Sequence, residues 1–307
     1  MENGIDRTFV KTKTLKDKPI SIFWFRRDLR LDDNVGLNHA LRSGMPVLPL
    51  FIFDKAVLSE LPPSDKRVGF IYDTLKGMHR QLSKFNAGMC LRHGEVMDVW
   101  KDLLKQYNVV KVFANHDYEP YAIQRDAEVK HVLTKKQVEF HTYKDQVIFE
   151  KFEVLKPDDS PYTVYTPYMK KWMKRFEEVG IPKSAPPSLE NFLSIDEDFL
   201  ELKEIEFSPA NYHVPQPQLS VLEEYEKYRD IPAENKTSHL STHLRFGTVS
   251  IRNMVDKAYK TNTKFLQELI WREFFMQILW HFPETVSKSF KPKYDHIKWR
   301  NNKSEFD

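Results

Sequence analysis

The stretch Phe265–Phe275 holds side chains that could bind a flat or anionic ligand. On a helical period, Glu268, Trp271, Arg272 and Phe275 share one face. A second stripe of the same helix is entirely apolar and consists of Leu266, Ile270, Phe274 and Ile278. The pattern predicts a helix that buries the apolar stripe and turns its polar face towards a planar or anionic group. The structural alternative is an ordinary Glu268–Arg272 ion pair, worth about 0.2–0.5 kcal/mol, beside a core tryptophan.

A second candidate site lies at Thr237–Ser241, where three hydroxyl groups precede a predicted helix. A helix N-terminus with hydroxyls and free backbone N–H groups is well suited to bind phosphate. His239 and His243 lie here, but no further metal ligands are near them in the sequence, so we predict no metal site. We therefore interpret this segment as a phosphate cradle.

Two cationic segments allow both a binding and a structural interpretation. Arg26, Arg27 and Arg30 follow a predicted strand, at the edge where parallel sheets bind ligands. They could instead pair with the aspartates at positions 28, 32 and 33 and hold a loop. The run Tyr162–Arg175 mixes aromatics with cations, as nucleic-acid sites do. We favour the structural interpretation of both, with a connector helix that packs its aromatic residues Tyr168, Trp172 and Phe176 against a domain.

The composition is that of a soluble globular protein. The 307 residues are enough for two domains, and 41% of them are hydrophobic and 30% charged. A net charge of +3 permits nucleic-acid binding without arguing for it. The single cysteine, Cys90, excludes an intrachain disulfide, so we expect an intracellular, cytoplasmic protein. No apolar run approaches 18 residues, which excludes a membrane span, and the polar residues 1–19 are expected to form a flexible tail.

Residues 20–150 alternate predicted strands with predicted helices. The strands, nearly continuous in apolar residues, are Pro19–Phe25, Pro46–Asp54, Met89–Arg92, Val109–Ala114 and Val138–Phe149. This alternation predicts a doubly wound α/β domain with a parallel sheet covered on both faces. The domain has no G-x-G-x-x-G and no P-loop, so the usual dinucleotide and triphosphate sites are not indicated. Residues 151–212 are rich in proline and read as a surface connector, and residues 213–307 turn helical.

Four motifs together resemble the photolyase/cryptochrome family, and most of all its cyclobutane pyrimidine dimer photolyases. They are WFRRDLRLDDN after the first strand, VYTPYMKKW in the connector, TSHLSTHLRFG, and ELIWREFF. The resemblance runs from about Pro19 to Asp307 in the family's order and spacing. It implies an α/β antenna domain, a long connector and an all-helical FAD-binding domain, of which residues 213–307 would be the N-terminal part.

The resemblance also implies a set of site residues. FAD would be bound by Tyr225, Thr237, Ser238, His239, Leu240, Ser241, Phe265 and Arg272, the last near the pyrophosphate. UV-damaged DNA would be contacted by Arg229, Glu268, Trp271 and Phe275, of which Glu268 would touch the dimer and Trp271 would stack on it. Trp299 would be the outermost tryptophan of an electron-transfer chain. The implied reaction is carbon–carbon bond cleavage by a monomer, with a light-driven electron passing from reduced FAD to a flipped-out pyrimidine dimer.

Three departures from the family pattern limit these expectations. Phe265 stands where related photolyases often have a tryptophan. The segment Tyr118–Ala122 lacks the Asn-Glu pair that some relatives use for methenyltetrahydrofolate, so the antenna pigment could be that folate, a deazaflavin, a flavin or none. The family continues beyond Asp307 with the rest of the flavin pocket. The alternatives are a cryptochrome-like blue-light sensor without repair activity and an inactive remnant without cofactor.

Overall fold

The computed structural model describes residues 16, 18–181, 189–195 and 198–306. Most of the predicted tail at residues 1–19 therefore lies outside the described residues. Five strands form one parallel sheet in the order β3-β2-β1-β4-β5. They are β1 (Pro19–Phe25), β2 (Val47–Asp54), β3 (Cys90–Gly94), β4 (Asn108–Asn115) and β5 (Glu139–Tyr143). The predicted α/β fold with a parallel sheet is confirmed.

Both faces of the sheet are buried, as the apolar strands require. Alternate residues of β1 enter different cores: Phe23 and Phe25 lie in one, and Ile22 and Trp24 in the other. Period-two alternation places successive side chains on opposite faces, so each face has its own layer of helices. The flanking helices are α1 (Val35–Leu41), α2 (Lys55–Leu58), α3 (Lys66–Leu82), α4 (Val96–Gln106) and α5 (Pro120–Lys135).

The fifth strand is shorter than predicted. The apolar segment Val138–Phe149 predicts one long strand, but β5 ends at Tyr143. Beyond it, Ile148 and Phe149 are buried but belong to no strand. Their backbone N–H groups donate instead to the side chain of Glu273 in the helical half. The apolar character of Ile148 and Phe149 therefore reflects burial between the two halves of the molecule.

The second half is helical and has its own core. Its helices are α6 (Tyr165–Val179), α7 (Tyr225–Tyr228), α8 (Leu240–Phe246), α9 (Ile251–Thr261), α10 (Thr263–His281) and α11 (Lys303–Phe306). Short 3-10 turns lie at Leu189–Asn191, Leu202–Ile205, Leu219–Glu224, Pro283–Val286 and Pro292–His296. The predicted apolar stripe of α10 is buried in this core at Leu266, Ile270 and Phe274. Asn262 begins α10 by accepting the Phe265 N–H at 2.9 Å.

The connector packs on the α/β half. Phe192, Ile205 and Phe207 are buried in one core of the sheet. The Leu193 N–H donates to the Val47 carbonyl at 2.8 Å, so the connector runs beside the start of β2. Among the described residues, no helix is long and apolar enough to cross a membrane.

Candidate functional site

Trp271 lies in a stack of aromatic rings at the surface of α10. Its indole is 3.5 Å from the ring of Tyr165, centroid to centroid, and the two planes differ by 9°. Phe275, one turn further along α10, stacks less closely at 5.5 Å. The Tyr165 hydroxyl donates to the Gln267 carbonyl at 2.7 Å. Tyr165 therefore holds the plane of the Trp271 indole by packing against one of its faces. The sequence did not predict this contact.

Glu268 points towards α7 and forms an ion pair there. Its carboxylate accepts from Arg229 at 2.7 Å, with 33% of the Glu268 side chain exposed. The Arg229 guanidinium also lies 5.4 Å from the ring centre of Tyr225, which meets Phe265 edge-on at 4.9 Å. Five residues predicted to bind FAD or DNA thus form one contiguous group with Tyr165. We call Tyr165, Tyr225, Arg229, Phe265, Glu268 and Trp271 the α10 cluster.

Arg272 is not part of the α10 cluster, because its side chain faces the α/β half. Its guanidinium donates to the carbonyls of Gln146 at 2.8 Å and Leu244 at 3.3 Å. Burial, together with the nearby Arg27, lowers the pKa of Arg272 to about 10. Within the described part of the chain, the alternative Glu268–Arg272 ion pair does not form, because Glu268 pairs with Arg229 instead. A flavin pyrophosphate near Arg272 stays a prediction.

The hydroxyl-rich segment lies at the N-terminus of α8. His239 precedes the helix with a positive φ of 54°, and no side chain caps the first turn. Leu240 is buried, Ser238 and His239 are half-buried, and Thr237 and Ser241 are exposed. The Thr237 hydroxyl lies 3.0 Å from a ring nitrogen of His239. The segment therefore presents uncapped backbone N–H groups beside two exposed hydroxyls, as a phosphate cradle requires.

Two predicted site residues lie outside these groups. Phe275 is 61% exposed beside Trp271, and Trp299 is 72% exposed in a segment after the last 3-10 turn. Trp299 shares a surface hollow with residues 300–303, 305 and 306. Its role as an electron-transfer residue stays a prediction. Among the described residues, no group of three or more His, Cys, Asp or Glu side chains is arranged to hold a metal ion.

The arginine-rich segment after β1 joins the two halves of the molecule. Arg30 donates to both oxygens of Asp145 at 2.9 and 2.8 Å, and Arg252 of α9 donates to the same carboxylate at 2.8 Å. Arg252 also bonds Asp33 at 2.9 Å. Burial alone would raise the pKa of Asp145, but the two guanidiniums together hold it below its ordinary value.

The prediction that these arginines form structural ion pairs is correct, but the predicted partners are wrong. Arg26 pairs with Asp126, and Arg27 pairs with Glu119, about a hundred residues further along the chain. Asp28 instead accepts from the backbone N–H of Arg26, and Asp33 accepts from Arg252 of α9. The segment therefore holds the two halves together, which local charge density could not indicate.

Gly247 allows a close backbone approach between the two halves. Its φ is +65°, and a Cβ built there would lie 2.6 Å from the Cα of Asp28. The Leu29 N–H donates to the Phe246 carbonyl at 3.0 Å beside it. A side chain at position 247 would therefore be strained by its own backbone and would also push the halves apart.

We expect Gly247→Ala to lower the free energy of unfolding by at least about 2 kcal/mol, since a left-handed alanine alone costs about 1–2 kcal/mol. Urea titration followed by circular dichroism measures this. The matched control is Gly77→Ala in the middle of α3, where an added Cβ meets no atom within 4 Å. It should be neutral or stabilise by up to about 1 kcal/mol. Equal effects at both positions would contradict the close approach.

Glu273 is a buried carboxylate that the sequence did not single out. It accepts from the N–H groups of Ile148 at 2.7 Å and Phe149 at 3.0 Å, and from the Trp172 indole at 2.6 Å. Burial raises its pKa to about 7, while these donors oppose the rise. Glu273 thus connects α10 to α6 and to the segment after β5 by hydrogen bonds.

A cavity of about 200 Å³ opens at the carboxyl ends of β1 and β2. Its floor is apolar, with Phe51, Phe53 and Ile71, and cations and carboxylates such as Arg26, Arg125, Asp54 and Glu119 lie around it. The Tyr121 hydroxyl donates to Asp54 at 2.6 Å at its edge. The carboxyl edge of a doubly wound sheet is where ligands usually bind.

Comparison with known proteins identifies the family. The model of the DNA photolyase family matches residues 21–188, more than half of the chain. The chain belongs to the DNA photolyase family. The model of the FAD-binding domain of DNA photolyase matches residues 265–307, which include most of α10.

The photolyase relatives are similar over nearly the whole chain. A deoxyribodipyrimidine photo-lyase of Halobacterium salinarum is 30% identical over 92% of this chain and 66% of its own length. One of Synechococcus is 27% identical over 93% of this chain and 65% of its own length. The chain therefore spans slightly less than two thirds of these relatives.

Solved photolyase structures superpose well on the chain. A class III photolyase of Agrobacterium tumefaciens gives a TM-score of 0.80 at 25% identity, covering 94% of this chain and 64% of its own. A photolyase of Sulfolobus tokodaii gives a TM-score of 0.74 at 28% identity, covering 93% and 65%. The Sulfolobus structure is described as having two FAD molecules, with the implication of a novel light-harvesting cofactor.

Proposed function

We propose that this photolyase-family chain binds FAD and repairs cyclobutane pyrimidine dimers in UV-damaged DNA under light. The observation that carries the proposal is the α10 cluster. It brings a partly exposed carboxylate, a guanidinium and a stacked indole together, beside the aromatic residues proposed to bind the flavin. A protein that only senses light has no need of an indole ready to stack on a base, so the α10 cluster favours repair over the sensory alternative.

The residues present fit FAD. The uncapped N-terminus of α8 and the hydroxyls of Thr237 and Ser241 would bind its phosphates. Ser238, His239 and Leu240 would contribute backbone N–H groups. Tyr225 and Phe265 would form aromatic walls against the ring systems, and Arg272 would add positive charge. When bound and reduced, FAD supplies the photoexcited electron for splitting the dimer.

The α10 cluster would bind the flipped lesion. Trp271 would stack on the dimer with the part of its indole that Tyr165 and Phe275 leave uncovered. A dimer is already poorly stacked in the duplex, so extruding it costs less than extruding a normal base pair. Glu268 would bond the polar edge of a pyrimidine, and Arg229 would meet a backbone phosphate. Phe275 would extend the apolar wall, and Trp299 would relay electrons from the surface.

We propose that the cavity at the carboxyl ends of β1 and β2 holds a second, light-harvesting chromophore. Its apolar floor suits a flat ring system, and its arginines suit an anionic tail. A folate, a deazaflavin and a flavin share this chemistry. The two FAD molecules described for the Sulfolobus photolyase make a flavin the first one to test.

An absorption spectrum of the purified protein tests the cofactor directly. A flavin band that remains after gel filtration with added FAD supports the proposal. Its loss from a Thr237→Ala/Ser241→Ala variant, with the far-ultraviolet circular dichroism unchanged, would place the phosphates at α8. A wild-type protein that retains no flavin would overturn the proposal.

We expect Glu268→Gln to lower repair per absorbed photon several-fold while lesion affinity stays within about threefold. The amide keeps the size and one acceptor oxygen but cannot carry the negative charge that Arg229 pairs with. Quantum yield on irradiated oligo-dT and a parallel binding titration measure the two effects. The control is Glu177→Gln, an exposed carboxylate at the end of α6. An unchanged quantum yield would remove Glu268 from the reaction.

A further inference from the structure

A small cavity lies between the two halves of the molecule, at the C-terminal end of α8, where Leu244 and Gly247 line it. Its volume of about 10 Å³ is enough for one particle the size of a water molecule. Arg27 and Arg30 of the segment after β1 line it together with Arg272 of α10. We call it the junction cavity.

Arg272 brings an uncompensated charge to the junction cavity. Within the described residues it forms no ion pair, and its guanidinium donates to the carbonyls of Gln146 and Leu244. Burial lowers its pKa first, the like charge of Arg27 lowers it further, and Glu273 opposes this only in part, so that the pKa falls to about 10. A buried charge is costly unless a group of opposite sign contacts it.

The carboxylate that lines the cavity is already shared. Asp145 is the only acidic residue in the described lining of the junction cavity. It accepts from Arg30 at 2.8 Å and from Arg252 of α9 at 2.8 Å. Arg27 pairs with Glu119, which does not line the cavity. The lining therefore has more positive charge than its one carboxylate can balance.

Arg30 adds a hydrogen-bond donor without an acceptor. Its side chain is 8% exposed. Its terminal nitrogens donate to Asp145 and to the carbonyls of Gly247 and Asp33, but its buried Nε has no hydrogen-bond partner among the described residues. Buried donors are nearly always paired, and the junction cavity is the space beside Arg30 in which an acceptor fits.

We propose that the junction cavity binds a single chloride ion. A water molecule would accept from the Arg30 Nε but would leave the charge of Arg272 uncompensated, whereas a monatomic anion does both. A polyatomic anion such as phosphate does not fit a volume of about 10 Å³. The ion would contact arginines of both halves and would therefore stabilise their docking.

This site is separate from the proposed phosphate cradle. The hydroxyls of Thr237 and Ser241 lie at the N-terminus of α8, and the junction cavity lies at its other end. Seven residues of helix span about 10 Å. Arg272, which contacts the C-terminal end of α8, would reach the cradle through its charge alone. The inference therefore depends neither on FAD nor on the proposed repair.

The test is the stability of the protein in chloride at constant ionic strength, with sodium gluconate replacing sodium chloride. An ion that binds only the folded state multiplies the folding equilibrium constant by one plus the ratio of its concentration to its dissociation constant. We expect this constant, measured by urea titration, to rise at least about fivefold between no chloride and about 200 mM chloride. Urea is used because guanidinium chloride would itself supply the ion.

Two variants remove the site in different ways. Arg272→Gln deletes the uncompensated charge, and Val249→Ile adds one methylene to the lining without changing any charge. In both, we expect chloride to change the folding equilibrium constant by less than about 1.5-fold. The matched control is Arg80→Gln, which removes an exposed arginine of α3 and should keep the wild-type response.

Three outcomes overturn the inference. A wild-type response below about 1.5-fold means that no chloride binds and that a water molecule fills the cavity. A response that survives in Val249→Ile places the chloride elsewhere, and a response that is lost in Arg80→Gln reflects net charge. If Arg272→Gln does not fold, Val249→Ile decides alone, because it keeps every hydrogen bond of the arginines.

Discussion

Replacing Trp271 with alanine should weaken binding of a dimer-containing duplex by roughly 5- to 150-fold. Stacking of one base on an aromatic side chain is worth about 1–3 kcal/mol, and 1.4 kcal/mol corresponds to a factor of ten. Trp271 is half-buried with Tyr165 behind it, so the indole is pre-oriented and its loss removes the apolar wall outright. Undamaged DNA should bind within about twofold of wild type. Fluorescence anisotropy with the two duplexes measures both affinities.

Two variants separate stacking from folding. Trp280→Ala removes another half-buried tryptophan of α10 that packs on Phe152, away from the α10 cluster. It should leave the affinity ratio between damaged and undamaged duplexes unchanged. Trp271→Phe keeps an aromatic plane and should recover much of the discrimination. If Trp271→Ala and Trp280→Ala reduce lesion binding equally, the loss reflects general destabilisation, and Trp271 does not stack on the dimer.

The second large effect is expected at Glu273. Alanine there removes the acceptor of three close buried donors, which are the N–H groups of Ile148 and Phe149 and the indole of Trp172, and of the Tyr168 hydroxyl at 3.5 Å. Each unsatisfied buried donor costs about 1–3 kcal/mol. Glu273→Ala should therefore lower the free energy of unfolding by about 3 kcal/mol or more in urea titrations. Glu268→Gln, on the same helix but partly exposed, is the control and should change stability by less than about 1 kcal/mol.

The pH dependence at Glu273 has a defined sign. Because burial raises its folded pKa from 4.5 to about 7, the folded protein binds the proton more tightly than the unfolded chain. The stabilisation that comes from this tighter proton binding is fully present below about pH 4.5 and is lost as the pH rises through 7. At about 1.4 kcal/mol per pH unit, this amounts to at most about 3 kcal/mol. The free energy of unfolding of wild type minus that of Glu273→Gln should thus be most positive at pH 5 and fall towards pH 8. A difference that rises with pH would contradict this prediction.

The sequence predicts those parts of the fold that depend on local pattern. The apolar runs of β1 and β2 and the stripe of Leu266, Ile270 and Phe274 are read correctly because burial on both faces, or along one stripe, leaves a clear period. The end of β5 is misjudged because Ile148 and Phe149 are buried in the helical core with α10 and not by the sheet. Hydrophobicity reports burial without saying which element provides it.

Long-range charge pairing is what the sequence could not reveal. Arg30 and Arg252 meet at Asp145, which lies more than a hundred residues from each of them. Glu273 is adjacent to Arg272 and looks like its salt-bridge neighbour, yet it faces the backbone of Ile148 and Phe149. In the sequence, Tyr165 is only one aromatic of the Tyr162–Arg175 run, and its stack with Trp271 is what places it in the site. The first two cases depend on how the two halves of the molecule dock, and the third depends on how α6 packs on α10. Residue spacing within one segment cannot predict either kind of contact.

The most direct measurement is the loss of cyclobutane dimers from UV-irradiated oligo-dT incubated with the purified chain and reduced FAD. Blue or near-ultraviolet light should remove the dimers, parallel samples in the dark should keep them, and Trp271→Ala should slow the loss at limiting protein. Equal dimer content in light and dark, in a sample whose spectrum contains the bound flavin, would contradict the proposed repair activity.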